Sequence, residues 1–264
     1  MSFHDQALKS IDRKLELYSN DFGRFAVRAI MAGVYLGIMT AFAGATGTLL
    51  ESYAPGWGKY VFGCLFAVTL YIILILRGEL ATGDMMYMTY GAIHKANTVS
   101  RGLFLVLVVT FFNLVGAVLI SLLISRTTIG ANALVTEHFL AELMEAKMAK
   151  GPTTLFTEAI LANIVVNIAF FLSTQAGTDY AAQLQGTIIV IPAFATMGYE
   201  HSIANFANTA LVGLMFDPAT IEGFTVGNVL INWSVVWLGN FVGGGLIMGG
   251  IYGWLNMTKT NYKD

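Results

Sequence analysis

Apolar residues occur along this chain in long runs that are separated by short polar segments. The six longest runs cover about residues 25–50, 60–93, 103–124, 153–172, 184–216 and 226–255. A helix needs roughly 20 mostly apolar residues to cross a bilayer, so the pattern predicts six transmembrane spans. The second and fifth runs are longer than one ordinary helix requires, and polar residues and glycines interrupt each of them near its middle. We therefore predict that the second and fifth helices are broken.

The segment before the first run alternates apolar and charged positions. Leu8, Ile11 and Leu15 are interleaved with charged residues such as Lys9 and Asp12. This spacing favours an amphipathic helix. It is compatible with a helix at the membrane interface and, equally, with a solvated lead-in. The segment has no apolar core of the kind found in a signal peptide. We divide the chain into an amphipathic segment (1–28), a six-span transport domain (29–256) and a tail (257–264).

Composition supports a membrane protein with several spans. Of the 264 residues, 56% are hydrophobic and only 11% are charged, and the mean hydropathy is +0.68. A soluble domain carries about 25% charged residues. The net charge of −2 and the absence of a basic cluster in the sequence do not favour a nucleic-acid partner. The single cysteine, Cys64, excludes an intramolecular disulfide and is expected to be a small buried apolar residue.

The lysines and arginines predict how the chain lies in the membrane. If the N-terminus is inside, nine of these residues lie on the inner side and four on the outer side, while Arg77 lies within the second span. Basic residues concentrate in the cytoplasmic loops of membrane proteins. We therefore expect a multi-pass protein of the cell (plasma or inner) membrane with both termini in the cytoplasm, as six crossings require.

The two halves of the chain share three matches in the same order. Each half contains three spans, so two similar halves must have opposite topologies. Many channels and transporters have this inverted-repeat arrangement, in which paired broken helices meet near the midplane. The matching pairs are Ala29–Ala32 with Ala159–Ala162, Glu79-Leu80 with Glu200-His201, and Asn113–Leu119 with Asn240–Leu246.

Glu200 and His201 are the ionisable residues that stand out most clearly, because they lie deep in an apolar run. Ionisable groups at this depth are costly to bury and commonly have a function. If His201 begins the second half of a broken helix, the free amides and partial positive charge of that helix start would favour a passing anion. We expect a neutral imidazole that forms hydrogen bonds. A purely structural buried histidine is the alternative.

Three strings of residues resemble signatures of the formate/nitrite transporter family. They are Glu-His-Ser-Ile-Ala-Asn at 200–205, Gly-Asn-Phe-Val-Gly-Gly-Gly at 239–245 and Gly-Glu-Leu-Ala-Thr at 78–82. The last string departs from the family at Ala81, where phenylalanine is usual. The resemblance covers nearly the whole chain. It implies an all-α, aquaporin-like protomer assembled as a homopentamer in the lipid bilayer, with one pore per protomer.

The resemblance also assigns residues to the pathway. The family's central histidine corresponds to His201, its threonine in the broken second helix to Thr82, its vestibule lysine to Lys147 and its asparagine in the fourth span to Asn163. Without the family spacing, Lys147 is one of several charged residues in an outer segment and has no advantage over Lys150. The apolar constriction corresponds to Phe66, Leu70 and Phe194, with Leu80 and Val166 nearby.

The remaining polar residues near the two breaks have open roles. Glu79 and Glu200 occupy matching positions, and we interpret them as acceptors for backbone amides left unpaired at the breaks, with direct proton transfer as the alternative. Asn163 and Asn205 are expected to orient the same regions. Arg77 departs from the family's usual small or apolar residue. It either pairs with a nearby carboxylate or adds positive potential to the pathway.

These observations favour a channel or transporter for small monovalent anions or their weak acids, with formate ahead of lactate, that either couples transport to protons or passes the neutral acid. A nitrite or hydrosulfide channel is the nearest alternative. A water channel is less favoured because the sequence has no Asn-Pro-Ala pair, and an intramembrane enzyme is less favoured because the four histidines are far apart in the sequence. A scaffold protein would not need two matched breaks. We expect neither a cofactor nor a metal ion.

Overall fold

A computed structural model of the chain describes residues 2–260 and 262–264, with the side chain of Thr136 left aside. Met1 and Asn261, which belong to the predicted terminal segments 1–28 and 257–264, lie outside the described residues. The described part is built from α-helices, two short 3-10 helices (Val135–Glu137 and Pro218–Thr220) and one π-helix (Phe241–Gly249). The α-helices are α1 (Phe3–Asn20), α2 (Phe22–Tyr53), α3 (Gly58–Ile75), α4 (Ala81–Ile93), α5 (Val99–Ser125), α6 (Thr128–Ala131), α7 (Phe139–Met148), α8 (Pro152–Gln175), α9 (Tyr180–Val190), α10 (Pro192–Ala195), α11 (Ser202–Met215), α12 (Val226–Asn240) and α13 (Gly250–Leu255).

Among the described residues, five helical segments are long and apolar enough to cross a membrane. They are Phe22–Tyr53, Gly58–Ile75, Val99–Ser125, Pro152–Gln175 and Val226–Leu255, and shorter apolar helices cover Tyr180–Ala195 and Ser202–Met215. These helices carry many apolar side chains on their outer faces. Such a surface is stable in lipid and unstable in water. The protein is therefore an integral membrane protein.

Cys64 corrects one expectation from the sequence. It lies on α3 and is exposed, although it sits within an apolar run. The physical reason is that lipid is as apolar as the protein interior, so a hydrophobic position in a membrane helix can face either environment.

Helix α1 packs its apolar stripe against the other helices. Phe3, Ala7 and Ile11 are fully buried, and the Phe3 ring stacks on Phe171 of α8 with 3.4 Å between ring centroids. Ser2 caps the helix by accepting a hydrogen bond from the backbone N–H of Asp5. Helix α2 begins at Phe22, so the predicted segment boundary at residue 28 falls within α2. The packing of α1 brings its polar side chains close to α4.

Two glycines allow helices to approach each other closely, one in each half of the chain. A Cβ atom at Gly116 of α5 would lie 1.9 Å from the Ile30 carbonyl oxygen of α2, and one at Gly243 of the π-helix would lie 2.2 Å from the Ile160 carbonyl oxygen of α8. Both distances are far shorter than a van der Waals contact, so no larger residue fits without moving a helix. These contacts fix α2 on α5 and α8 on the π-helix, and so hold the residues on both helix pairs in position.

Candidate functional site

Two loops in the apolar interior have the same backbone design. The Arg77 loop (residues 76–80) connects α3 to α4, and the Gly198 loop (residues 196–201) connects α10 to α11. Arg77 has φ 55° and Gly198 has φ 70°, so each loop contains one left-handed residue. The residue after each donates its N–H five residues back, which is the bond of a Schellman helix end. These bonds join Gly78 to Ile73 at 2.8 Å and Tyr199 to Phe194 at 3.1 Å.

An asparagine on a distant helix holds the Arg77 loop. Asn113 of α5 is fully buried. Its Oδ1 accepts the N–H of Ala81 at 3.0 Å. Its Nδ2 donates to the carbonyl oxygens of Ala29 and Glu79, at 2.7 Å and 2.9 Å. One side chain therefore joins α2, the end of the loop and the start of α4.

Asn240 holds the Gly198 loop in the same way. It is fully buried, and its Oδ1 accepts the N–H of Ser202 at 2.8 Å. Its Nδ2 donates to the carbonyl oxygens of Ala159 and Glu200, at 2.8 Å and 3.0 Å. The residues joined here are those that match Ala29, Glu79 and Asn113 in the sequence repeat. The hydrogen-bond pattern thus follows the repeat.

The role predicted for the two glutamates is therefore wrong. The N–H groups of Ala81 and Ser202, which begin α4 and α11, donate to Asn113 and Asn240, not to Glu79 or Glu200. A neutral amide side chain can both donate and accept, so it satisfies an N–H and two carbonyl groups at once. A carboxylate can only accept. The glutamate side chains are consequently left to bind cations.

Glu200 binds two lysines. Its Oε2 lies 3.1 Å from Lys147 Nζ, and its Oε1 lies 2.7 Å from Lys150 Nζ. Asn205 donates its Nδ2 to Glu200 Oε2 at 2.6 Å. Lys150 also contacts Glu158 at 2.6 Å and donates to the Gly198 carbonyl oxygen at 2.7 Å. Lys150 was not predicted as a site residue, because its neighbours in the chain resemble those of Lys147.

The two lysines differ in burial. Lys147 is only 5% exposed, and burial lowers its pKa, an effect that the Glu200 carboxylate offsets only in part. For Lys150, burial acts in the same direction, but Glu200 and Glu158 outweigh it and raise the pKa. Lys147 is therefore a buried ammonium group paired with one carboxylate, whereas Lys150 is paired with two. It is the better placed of the two to gain from an additional anion.

At the Arg77 loop, the cation is Lys14 of α1. Its Nζ binds Glu79 Oε2 and lies 2.7 Å from Asp84 Oδ1. Burial lowers the pKa of Lys14, but the two carboxylates outweigh it, so the pKa lies above its ordinary value. Arg77 does not take this place. Its side chain is exposed, and its carbonyl oxygen accepts a hydrogen bond from Arg28.

His201 and Thr82 join the starts of α11 and α4. Thr82 Oγ1 lies 2.9 Å from His201 Nε2. His201 is also the N-cap of α11, because its Nδ1 accepts the N–H of Ala204 at 3.2 Å. Since Nδ1 is an acceptor, the proton of a neutral imidazole is on Nε2 and is donated to Thr82. The sequence placed both residues at breaks, and the structure brings their side chains into contact.

The five residues predicted to form the constriction line one cavity together with His201. The cavity is about 20 Å³, room for roughly one water molecule. Phe66 and Phe194 also line a second cavity that reaches Lys147, Gly198 and Asn205. The two aromatic rings are 6.3 Å apart and nearly perpendicular, so they separate His201 from Lys147. The constriction residues that share the first cavity are Phe66, Leu70, Leu80, Val166 and Phe194.

Asn163 supports the start of α4 from the opposite side. Its Nδ2 donates to the carbonyl oxygen of Thr82 at 3.2 Å and to that of Asn240 at 2.8 Å. Asn167, one turn further along α8, donates to the Thr82 carbonyl oxygen at 3.3 Å and to Asn163. Asn167 was not recognised in the sequence, and its spacing of four residues from Asn163 is the signal that could have identified it. These bonds help to hold Thr82 against His201.

Comparisons with known proteins agree with this geometry. A family model described as formate/nitrite transporter matches residues 1–254. A nitrite transporter from Salmonella typhimurium is 33% identical over 243 residues, which are 90% of this chain and 85% of that protein. A probable formate transporter from Methanothermobacter thermautotrophicus is 31% identical over 254 residues, or 90% of each chain.

Solved structures share the fold. An FNT family ion channel superposes with a TM-score of 0.88 at 26% identity, covering 96% of this chain and 98% of that chain. A pentameric formate channel with formate bound has a TM-score of 0.74 at 22% identity, covering 89% and 97%. Because the family model matches nearly every residue, including both loops and the asparagines that hold them, this chain belongs to the formate/nitrite transporter family.

Proposed function

We propose that this protein conducts a small monovalent anion, with formate as the leading candidate, and that the substrate passes the centre of the protein as the neutral acid or with a co-moving proton. The observation that supports this most directly is the contact between His201 and Thr82 at 2.9 Å. The contact lies beside an apolar cavity and joins the starts of two helices. A polar pair in such a position can bind a polar solute as it passes the mostly apolar cavity wall.

The helix starts favour an anion. Helices α4 and α11 begin at Ala81 and Ser202, next to the contact between Thr82 and His201. The start of a helix carries a partial positive charge. Two such starts meeting at one place make that place more favourable for an acidic solute than for a cation. They do so without placing a full positive charge inside the apolar cavity.

The apolar cavity favours the protonated form of the substrate at the narrowest place. Transferring a bare anion from water to an apolar medium costs tens of kcal/mol. Protonating an acid with a pKa of about 4 at pH 7 costs roughly 4 kcal/mol. Because the second cost is much smaller, a neutral acid crosses more easily past Phe66 and Phe194. Uptake should therefore increase as the pH on the supplying side falls.

Lys147 supplies the first binding step in this proposal. It is buried next to the cavity beyond Phe66 and Phe194, and it shares the Glu200 carboxylate with Lys150. An anion that reaches Lys147 gains an ion pair before it must lose its charge. The acid then reaches His201. The Nε2–H of His201, which donates a hydrogen bond to Thr82 Oγ1, can donate that hydrogen bond to the acid instead. The Thr82 hydroxyl can rotate to donate or accept as the solute requires.

Nitrite is the second candidate substrate. A relative 33% identical to this chain is named a nitrite transporter, and nitrite is also the anion of a weak acid. The same chemistry at His201 and Lys147 therefore serves both ions. Hydrosulfide and lactate remain further candidates for the same reason, and protons are the co-substrate in each case.

We further propose how the protein lies in the membrane. Helices α3 and α4 together make the second crossing, and α9 to α11 make the fifth, so that six crossings form two inverted halves of aquaporin-like design. The matching hydrogen bonds of Asn113 and Asn240 support this arrangement. The distribution of basic residues favours both termini in the cytoplasm. The related fold of a channel described as pentameric supports a homopentamer, with residues 29–256 as the transport domain.

The test is uptake into proteoliposomes that contain the purified protein. Labelled formate, nitrite, lactate and hydrosulfide are supplied at several pH values, and His201→Phe is compared with wild type. We expect His201→Phe to lose at least about tenfold in formate uptake, since it removes a hydrogen-bonding group at the centre. His138→Asn is the matched control, because it removes a buried histidine outside the pathway and keeps an acceptor for the N–H of Leu140. Uptake by His201→Phe equal to wild type would contradict the proposal.

A second variant tests the binding step. Lys147→Ala should reduce uptake mainly at low substrate concentration, because the lysine gathers the anion and does not act at the centre. At saturating substrate the rate should approach that of wild type. Unchanged uptake at low substrate would remove Lys147 from the pathway.

A further inference from the structure

The sites around Lys14 and Lys147 occupy matching places in the sequence repeat, but they differ in one residue. At one end, Lys14 binds Glu79, and at the other, Lys147 binds Glu200. Five residues after Glu200 stands Asn205, whereas five residues after Glu79 stands Asp84. An amide at one end is therefore replaced by a carboxyl group at the other. We call these the Lys147 end and the Lys14 end.

The replacement removes a hydrogen bond. Asn205 donates its Nδ2 to Glu200 Oε2 at 2.6 Å, which helps to satisfy that carboxylate. An ionised Asp84 has no hydrogen to donate. A protonated carboxyl group does have one. When Asp84 is protonated, the Lys14 end therefore has a hydrogen-bond donor at this position, as the Lys147 end has in Asn205.

The surroundings of Asp84 contain an excess of negative charge. Its side chain is 1% exposed, and its Oδ1 lies 2.7 Å from Lys14 Nζ. Within the described part of the chain, its Oδ2 is buried and makes no hydrogen bond. Glu79 is equally buried and shares the same lysine. Two carboxylates and one ammonium group leave one uncompensated negative charge, which is costly in an apolar interior.

The groups that face Asp84 come from three segments. Helix α1 contributes Lys14 and, further away, Arg13; the Arg77 loop contributes Glu79; and α4 itself contributes Tyr87. Lys14 Nζ also lies 5.6 Å from the centre of the Tyr87 ring, and the Tyr87 hydroxyl is occupied with Thr174 at 3.1 Å. Among the described residues, Lys14 is thus the cation in direct contact with both carboxylates.

We infer that Asp84 is a proton-binding site at the Lys14 end, and that it takes up one proton when the site accepts an anion. In the protonated state, Lys14, Glu79 and Asp84 together carry no net charge, so the site no longer repels an incoming anion. The proton comes from the surrounding water: an O–H bond of a hydronium ion breaks, the O–H bond to Asp84 Oδ2 forms, and a water molecule is released. The coupling to an anion rests on the proposed function, whereas proton binding by Asp84 does not.

Infrared difference spectroscopy of the purified protein in lipid tests the proton site directly. The carbonyl stretch of protonated carboxyl groups is followed as the pH is lowered, without any substrate. We expect wild type to show a signal from one buried carboxyl group that Asp84→Asn lacks. Glu16→Gln is the matched control, because Glu16 is an exposed carboxylate on the same helix as Lys14, and it should keep that signal. A spectrum of Asp84→Asn identical to wild type would overturn the inference.

Lys14→Met gives a second measurement if Asp84→Asn does not fold. Removing the lysine leaves two buried carboxylates without a cation, so protonation should occur at a pH higher by about one unit or more. A titration that stays at the wild-type pH would also overturn the inference.

Formate transport then separates this inference from the proposed function. We expect the pH dependence of uptake to become weaker in Asp84→Asn, because its neutral amide resembles the protonated carboxyl group and does not titrate. If wild type carries no formate but the infrared signal depends on Asp84, the proposed function fails and the proton site stands. If formate is carried and the signal does not depend on Asp84, the reverse holds.

Discussion

Replacing Asn113 or Asn240 with leucine should destabilise the protein strongly and by a similar amount. Each leucine has nearly the shape of asparagine but removes three buried hydrogen bonds. One loop N–H and one loop carbonyl oxygen lose their partners in each variant. The third group, a carbonyl oxygen within α2 or α8, lies inside a helix and loses less. An unpaired buried polar group costs about 1–3 kcal/mol, so each variant should lose about 2–6 kcal/mol.

The assay is reversible unfolding in mixed micelles, with formate uptake measured in parallel. Asn228→Leu is the control, because Asn228 is exposed and its side chain makes a single hydrogen bond to Gly223. It should change the free energy of unfolding by less than about 1 kcal/mol. The reasoning is refuted if Asn113→Leu or Asn240→Leu unfolds at the wild-type denaturant concentration, or if only one of the two is affected.

Three further predictions follow from contacts elsewhere in the structure. Lys150→Met leaves the buried Glu200 with one lysine instead of two, and should lower the unfolding free energy by about 1–3 kcal/mol in the same micelle assay; no loss would show that Lys147 alone suffices. Gly116→Ala should prevent folding or lower the free energy of unfolding by more than about 3 kcal/mol, because its Cβ would meet a backbone carbonyl oxygen. Gly23→Ala is the control for thermal unfolding and should be neutral, because its Cβ meets nothing within 4 Å. Burial, together with nearby Lys263, lowers the pKa of His4 from its ordinary value of 6.5, so the folded protein favours the neutral form and the docking of α1 should weaken as the pH falls below about 6.5. The measurement is the protection of the α1 amides against hydrogen exchange, corrected for the intrinsic pH dependence of exchange. Equal protection at about pH 7.5 and pH 5.5, on either side of that value, would contradict this prediction.

The helical class was predictable because one physical requirement dominates. Backbone groups in lipid must be satisfied within a segment, so long apolar runs become helices. The direction in which each residue faces was not predictable to the same degree. Cys64 and the apolar stripe of α1 illustrate this, since lipid, neighbouring helices and the membrane interface all accept apolar side chains.

Within the site, residue types were easier to recognise than their partners. His201 and Glu200 were visible because ionisable groups are rare in an apolar run. The contacts of Lys14 with Glu79 and of Asn113 with Ala81 join residues far apart in the chain, and no local spacing reveals them. The repeat did mark Asn113 and Asn240 as equivalent, but it did not indicate which groups they bind.

The π-helix at Phe241–Gly249 has a consequence for how the sixth apolar run can change in length. Its hydrogen bonds close larger rings than those of an α-helix, so each turn takes in more residues. Loss of one residue here can be absorbed when a wide turn tightens to an α turn, while the helices on either side keep their orientations. Asn240 would still face Ser202, and Tyr252 would still lie against Phe171, whose ring centroid is 4.2 Å away. We expect single-residue deletions within 241–249 that spare the glycines to be tolerated better than deletions in α12, where the same loss would turn Asn240 away from the loop it holds.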